Sequence, residues 1–587
     1  MYDPAQPRSR VFLPAILSGI LLYAAFFPLN LGFLAWIALV PLLSLVRANA
    51  RSRRIYFAAF VGGLFLYVPA IQWIRVAHPA MYGSWVFLAV VCSLFLVLTL
   101  AFVRKLDRAG VPLWLAAPIS FIAVEYLRSH FPTGYTWMEL FDARHPIGFG
   151  WYMIGHTQHD YVQLIQIADL TGAYGVTFLV VLVNAAIWNV ASQSSRIRAW
   201  LRISSPLFAW ERGAHSLTRR SDYIAMALLL LTFTYGVLRT NHDEFAQGPT
   251  VALIQGNLPQ DVKNLHGDEM VQHFETLADE AVKADAQGKK PDLVIWPETS
   301  FALHWFEASP NSSIEKLVPS SGLPPKETTF LRNRNFAREL IRSKALEWPV
   351  PTLYGLNSYQ WEADGSIWRY NTALFVDRHG VPTGRYDKIH LVPLGEYVPF
   401  EKTFPFLKAF TPYDTTPGEE TYSCRPGDKW TRFPLPVGER TYQFACLICY
   451  EDTDASLARH YVRPGSEPID FFVNISNDGW FDGTAEHEQH LAIARFRCIE
   501  SRRSMVRAVN MGISAIIDSE GRVIALPGET WSKSKKVEGI VRGKVPLDTR
   551  TTLYGRFGDW LPLTAWFVIL ATFVRGFVRR KQTAPHG

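Results

Sequence analysis

Cys449 closes an apolar run, Phe444-Ala-Cys-Leu-Ile-Cys-Tyr-Glu451, and two other polar residues stand at the ends of apolar runs of their own. Glu298 follows Leu293-Val-Ile-Trp-Pro, and Lys388 lies in Arg385-Tyr-Asp-Lys-Ile-His-Leu-Val-Pro. A carboxylate, an ammonium and a thiol together can perform acyl transfer. A thiol is mostly protonated at neutral pH, so Cys449 needs a base to become a nucleophile, and Glu298 is the candidate. Partial burial would raise its pKa towards the working range, letting it take the thiol proton and later return one to a leaving group. A fixed ammonium on Lys388 would stabilise the tetrahedral oxyanion, with a backbone N–H near Tyr450 as a second donor. Taken alone, each residue has an ordinary reading. Glu298 would be a surface or capping residue, Lys388 half of a solvated pair with Asp387, and Cys446 and Cys449 buried structural cysteines.

Other chemistry is less well supported. Cys446-Leu-Ile-Cys449 matches a redox Cys-x-x-Cys in letters, but residues three apart on a strand face opposite ways. Tyr442, Phe444, Cys446 and Ile448 would share one face, and Ala445, Leu447 and Cys449 the other. The chain has 5 cysteines, with no regular spacing, so they form no disulfide framework. His487-Glu-Gln-His490 has its histidines three apart, unlike the His-Glu-x-x-His of zinc proteases, and no metal site is read there. No phosphate-cradling glycine loop is present, and no cofactor is expected.

The elements that must position these residues read as alternating strands and helices. Val251 to Gln255, Asp292 to Trp296, Pro351 to Leu356, Thr372 to Val376, Tyr442 to Cys449 and Ile469 to Ile475 are short apolar runs bounded by Gly, Pro, Asn or Asp, as buried strands are. Leu374 to Pro382 and Ile516 to Val523 read as hairpins. Helical spacing appears at Val271, Phe274, Ala278 and Ala281, and at Leu491, Ala494, Cys498 and Ile499. Residues 303–335 lack pattern and read as a mobile excursion in an otherwise α/β domain with long loops.

This domain is enclosed by apolar sequence. Hydrophobic residues make up 49% of the 587 and charged residues only 19%, below the roughly one quarter of soluble domains. Apolar stretches at 11–28, 31–46, 55–74, 85–103, 111–127, 172–191, 223–238 and 560–578 are each long enough, or nearly so, to cross a hydrocarbon core about 30 Å thick. The first is not read as a signal peptide, because no small-residue cleavage site leads into a soluble domain and a second apolar run follows at once. Lys and Arg accumulate on cytoplasmic loops. Here they cluster at Arg8 and Arg10, at Arg47 to Arg54, at Arg104 to Arg108, at Arg196 to Arg220 and at Arg579 to Lys581. The alternate loops carry little beyond Arg75, Arg128 and Arg144. Eight spans with both termini cytoplasmic satisfy this pattern and put the large polar domain outside. The expected units are a seven-span domain over 1–240, an extracytoplasmic catalytic domain over 241–549, and an eighth span with a basic tail over 550–587. The net charge of +7 then reflects topology, and no nucleic-acid partner is expected. Glu125 and Arg128 are expected to pair with each other at the outer interface. Tyr397, Phe400, Phe404, Phe406, Phe410 and Tyr413 are either core filling or an interfacial loop, and Trp480, Phe481 and Phe301 to Phe306 are candidates to border an acyl-chain entrance.

The Trp-Pro-Glu298 segment, the segment from Tyr386 through Gly395-Glu-Tyr-Val-Pro, and Ile448-Cys-Tyr-Glu451, in that order, resemble the Glu-Lys-Cys set of the nitrilase superfamily. With spans on both sides the resemblance narrows to the apolipoprotein N-acyltransferases of bacterial inner membranes. Leu253-Ile-Gln-Gly-Asn-Leu-Pro-Gln, Ile475-Ser-Asn-Asp-Gly-Trp-Phe481 and Arg507-Ala-Val-Asn-Met-Gly-Ile-Ser follow that family too. The longer 303–335 stretch, Asp387 and Ile389 beside Lys388, and Met511 depart from it. The resemblance implies a multi-pass helical membrane domain joined to an α-β-β-α sandwich, with Glu298, Lys388 and Cys449 catalytic. Glu396, Tyr450, Glu451, Asn477 and Trp480 are counted as supporting, Glu396 by orienting Lys388 or the base. The implied reaction takes an acyl chain from a membrane glycerophospholipid, through a Cys449 thioester, to the α-amino group of an apolipoprotein's S-diacylglyceryl cysteine. Two rivals stay open. A membrane-tethered amidase would use the same triad with water as acceptor, and a non-enzymatic scaffold or transporter would tolerate Cys449→Ala.

Overall fold

The computed structural model describes residues 8–79, 81–131, 148–202, 215–240, 245–260, 263, 267–285, 288–301, 303–309, 312, 325–393, 395–398, 400, 403–404 and 423–583. The expected apolar stretches form helices α1 (Phe12–Ala25), α2 (Ser52–Ala70), α3 (Met81–Arg108), α4 (Leu113–His130), α5 (Ala173–Ala191) and α6 (His215–Arg239). Small residues let α1 and α2 touch: a Cβ on Gly19 would lie 2.1 Å from the carbonyl oxygen of Gly62. The stretch 31–46 is not one helix. It breaks into Gly32–Leu34, Ala35–Ala38 and Val40–Leu43, and Asn184 of α5 repairs the break, accepting from Leu39 N–H and donating to Ala35 C=O, each at 2.8 Å. Backbone away from water tolerates such a break only where its polar groups are satisfied. Among the described residues, four helical segments are long and apolar enough to cross a membrane: Met81–Arg108, Ala173–Ala191, Asp222–Arg239 and Trp560–Val578. α1 is only 14 residues long, and α2 and α4 carry Pro69 and Pro118.

The basic segments meet at one end of this bundle. Ser9 bonds to Asn49 and to the Arg202 carbonyl, and Arg47 pairs with Asp107 at 2.7 Å. At the other end Trp73, Gly148, Gln166, Asp169 and Ala173 meet the polar domain.

That domain is two sheets packed face to face. The first contains β1 (Ala246–Gln255), β2 (Leu293–Ile295), β3 (Trp305–Ala308), β4 (Thr352–Trp361), β5 (Ile367–Val376), β6 (Pro382–Asp387) and β13 (Gly539–Leu547), ordered β13-β1-β2-β4-β5-β6 with β3 beside β4. The second contains β7 (Phe433–Val437), β8 (Arg440–Ile448), β9 (Phe471–Asn477), β10 (Ser504–Asn510), β11 (Ala515–Ile517) and β12 (Val523–Ala525), ordered β12-β11-β10-β9-β8-β7. Alternation decides which face meets which layer. Leu253, Ile295, Leu353 and Phe375 pack between the sheets against Phe444, Cys446, Ile448 and Val473. Ala252, Val294 and Leu374 face outward onto helices α7 (Gly267–Ala281) and α8 (Pro325–Glu347), and Ala445, Leu447 and Phe472 onto α9 (Glu486–Ser501). The layers run helix, sheet, sheet, helix, and the chain leaves through α10 (Trp560–Thr583).

Every expected strand and both hairpins are present. The excursion is a correction. Within 303–335 lie β3, paired parallel to β4, and the start of α8, held by Phe306 against Phe330 and Arg338 over Trp305; residues 313–324 fall outside the described set.

Candidate active site

Glu298, Lys388 and Cys449 stand just beyond β2, β6 and β8, and the packing of the two sheets brings those ends together. Lys388 Nζ lies 3.2 Å from Glu298 Oε1 and 2.9 Å from Glu396 Oε2, with its side chain 1% exposed. Asn371, at the centre of β5, donates one amide to both carboxylates, at 2.6 Å to Glu298 Oε1 and 2.7 Å to Glu396 Oε1. The Asn477 N–H donates to Glu298 Oε2 at 2.9 Å, and the Asn477 side chain is held by Gln260 and Asn510. Both oxygens of Glu298 are thus fixed, and Glu396 orients Lys388 while accepting from Val392 N–H.

The nucleophile candidate sits on a turn. β8 ends at Ile448, and Cys449 takes a left-handed φ of 52° to open a single 3₁₀ turn, Cys449–Thr453. A side chain other than Gly or Asn seldom adopts that conformation, and where it does the surroundings must hold it. The turn corrects the facing expected from a straight strand. Ala445 and Leu447 face α9, whereas Cys449 is swung back to pack at the edge of the cluster between the sheets. Glu451 does the holding. Its carboxylate accepts from Ile448 N–H at 2.7 Å, Ile389 N–H at 2.7 Å, His390 N–H at 3.0 Å and Tyr386 O–H at 2.8 Å, fastening the cysteine turn to the lysine loop. Tyr450 O–H donates to the Gly148 carbonyl at 2.7 Å, linking the turn to the membrane helices.

The electrostatics follow from this packing. Burial pushes the Cys449 thiol well above its usual pKa, the Glu298 charge pushes it further, and Lys388 opposes both. Burial disfavours the charged form of Lys388, but Glu298, Glu396 and Cys449 beside it hold its pKa well above the ordinary lysine value. The resting arrangement is therefore a neutral thiol next to an ammonium clamped by two carboxylates. Such a thiol needs a base at the moment of attack, and Glu298 is the carboxylate whose charge it feels most.

Other expectations fare unevenly. Trp480 is half-buried on the turn Asp478–Phe481, and Phe481 meets Trp73 of the membrane part edge-on at 4.8 Å. Phe301 packs on Trp296 and Tyr354, and Phe306 on Phe330 and Tyr359. Tyr397 is buried and Phe404 exposed, while Phe406, Phe410 and Tyr413 lie outside the described residues. Glu125 and Arg128 each bond elsewhere, Arg128 to Tyr67 O–H and the Trp151 carbonyl, Glu125 to Ile154 N–H. Asn371 escaped notice in the sequence; its one signal is a polar side chain in the middle of a buried strand.

Two sheets sandwiched between helices, with carboxylate, ammonium and thiol at the strand ends, describe a carbon-nitrogen hydrolase, and residues 250–549 match the carbon-nitrogen hydrolase family. Residues 18–186 match the apolipoprotein N-acyltransferase N-terminal domain. The chain belongs to the apolipoprotein N-acyltransferase family. It is 31% identical over 597 residues to an apolipoprotein N-acyltransferase of Geobacter metallireducens, covering 99% of this chain and 98% of that protein. It is 27% identical to one of Rhodopirellula baltica, covering 91% of each. Among solved structures, the amidase from Nesterenkonia sp. AN1 aligns with 53% of this chain and 97% of its own, at 16% identity and a TM-score of 0.33.

Proposed function

We propose that this chain transfers an acyl group from a membrane glycerophospholipid to the α-amino group of the S-diacylglyceryl cysteine of an apolipoprotein, through a thioester on Cys449. The observation that carries the reading is the clamped Lys388, held 3.2 Å from Glu298 and 2.9 Å from Glu396 beside a buried thiol. Glu298 takes the thiol proton as sulfur attacks the ester carbonyl, and Lys388, with a backbone N–H at Tyr450, faces the oxygen that gains charge. Collapse breaks the ester C–O bond, and the departing lysophospholipid oxygen takes the proton from Glu298. The amine then attacks the thioester, loses a proton to Glu298, and the cysteine sulfur leaves and is reprotonated. No cofactor enters either half.

The setting supports a lipid donor. Eight crossings, counting the broken 31–46 stretch and the short α1, would place both termini in the cytoplasm. The basic segments that meet at one end of the bundle favour that end as cytoplasmic, with the sandwich on the periplasmic face of a bacterial inner membrane. Domain limits of 1–240, 241–549 and 550–587 fit the passage from bundle to sandwich and back.

Incubating the purified protein with alkyne-tailed phospholipid tests the reading. Label should appear on the chain, resist SDS, be released by hydroxylamine and be absent from Cys449→Ala. Absence of label, or its persistence in Cys449→Ala, defeats the thioester. Hydrolysis of small amides with no lipid label would favour the tethered amidase.

A further inference from the structure

Behind the Cys449 turn, Asp478 Oδ2, Glu486 Oε2, His487 Nδ1 and His490 Nδ1 point into one small space and find no hydrogen-bond partner. Their side chains are between 0% and 2% exposed. Ligand-type atoms of Asp478, Glu486 and His490 all lie within 4.8 Å of one another. His490 Nδ1 is 3.5 Å from Asp478 Oδ1 and 3.5 Å from Glu486 Oε1, long for hydrogen bonds. Atoms bound tetrahedrally at about 2.0–2.2 Å from one ion sit about 3.3–3.6 Å apart, and these two distances fall in that range, with Asp478 Oδ1 also accepting the Ser476 O–H at 2.6 Å.

The tautomers and charges agree. His490 Nε2 lies 2.8 Å from Asp452 Oδ1, a contact that would hold the ring proton there and turn the Nδ1 lone pair to the space once a cation displaces any proton on Nδ1. Asp452 is paired in turn with Arg507, an arrangement that commonly orients a metal-bound histidine. His487 Nε2 accepts the Gly483 N–H at 2.8 Å, so its Nδ1 carries the proton, 3.3 Å from Glu486 Oε2 and 3.6 Å from Asp478 Oδ2; it supports the carboxylates and is not a ligand. Asp452 pairs with Arg507, and Asp478 and Glu486, once both are ionised by a bound cation, would balance one dication.

We propose that Asp478, Glu486 and His490 hold a divalent cation of the zinc class. The site would tie the turn after β9 to the first two turns of α9. Asn477, next to Asp478, gives its N–H to Glu298, so the ion would brace the base from behind. At the proposed site only one of the two histidines of His487-Glu-Gln-His490 would ligate, and one carboxylate would come from before the helix, so the spacing of the letters alone does not reveal it.

The test uses the full-length protein in detergent, purified through a tag without histidines and with no chelator. Elemental analysis should find about one equivalent of a single divalent metal per chain. A strong chelator should lower Tm, added Zn²⁺ should restore it, and Glu486→Gln, nearly isosteric, should lose both the metal and the response. Wild-type protein with no metal above background and a Tm indifferent to chelator and Zn²⁺ overturns the proposal and assigns the space to a protonated His490 bridging the carboxylates. Full metal retention in both Glu486→Gln and His490→Ala overturns it too, placing the ion elsewhere.

Discussion

One side-chain amide, that of Asn371, keeps Glu298 and Glu396 apart on either side of Lys388. Hydrogen bonds to charged groups contribute about 1.5–3 kcal/mol each, so Asn371→Ala should lower Tm and also lower kcat per folded molecule by roughly tenfold to a hundredfold. Single-turnover acylation of Cys449 would measure it; an unchanged rate would remove Asn371 from the site. Because burial and Glu298 raise the Cys449 pKa, its thiolate fraction should still be climbing past pH 9.0, the ordinary thiol value. Iodoacetamide alkylation followed by mass spectrometry should rise through that pH, and Glu298→Gln, which removes the neighbouring negative charge, should shift the rise to lower pH. A plateau below pH 9.0 would contradict the buried, neutral thiol. Glu298, Lys388 and Cys449 were legible because each sits in an unusual run of letters. Asn371 was not, since a polar residue in a strand announces itself only when the strand is known to be buried on both faces.

Strands were legible where burial on both faces left uninterrupted apolar runs, as in β2, β8 and β9. β7 was not, because Phe433-Pro-Leu-Pro-Val reads as a strand breaker; it survives at the sheet edge with both prolines turned to solvent. β10 hid behind Arg507, whose charge is absorbed by Asp452. Close approach of elements also leaves a testable mark. A Cβ on Gly355 of β4 would lie 2.1 Å from the Pro297 carbonyl oxygen and 2.8 Å from Glu298 Cα. Gly355→Ala should therefore displace the base, costing about 1–3 kcal/mol in stability and lowering the acylation rate by more than that loss explains. Equal activity per folded molecule would show that β4 yields instead. The lysine loop carries a pH-dependent clasp, His390 paired with Asp454 at 2.9 Å. Burial lowers the His390 pKa, but Asp454 more than reverses this and holds it above 6.5; Asp454 itself is held below its usual value of 3.8. The histidine contribution is complete below pH 6.5 and fades as pH rises through the raised folded value, while the aspartate contribution fades as pH falls below 3.8. Thermal melts should show wild type losing stability above pH 6.5, a slope that His390→Gln lacks.

At the scale of the whole molecule, bundle and sandwich share buried charge. Asp169, at the end of the bundle that meets the sandwich, accepts from Arg502 at 2.7 Å, from Arg239 at 2.8 Å and from Tyr235 O–H at 2.7 Å, and Glu500 accepts the Ala173 N–H that opens α5. Removing one partner of a buried pair costs about 3–5 kcal/mol, so Arg502→Met should loosen the junction. Limited proteolysis should then cut between the two units, and an unaltered digestion pattern would count against the pairing as the fastening. The apolar stretches and basic loops made the bundle visible in sequence, yet the break at 31–46 was hidden because Asn184, its remedy, lies in a different helix. The grip of Glu451 on both the cysteine turn and the lysine loop has a kinetic corollary. With Cys449 and Lys388 fastened together, the proposed reaction would use one site for both lipidated reactants in turn. On the proposed thioester reaction the lysolipid would leave before the acceptor arrives, so double-reciprocal plots against one reactant at several levels of the other should be parallel lines, and intersecting lines would count against it.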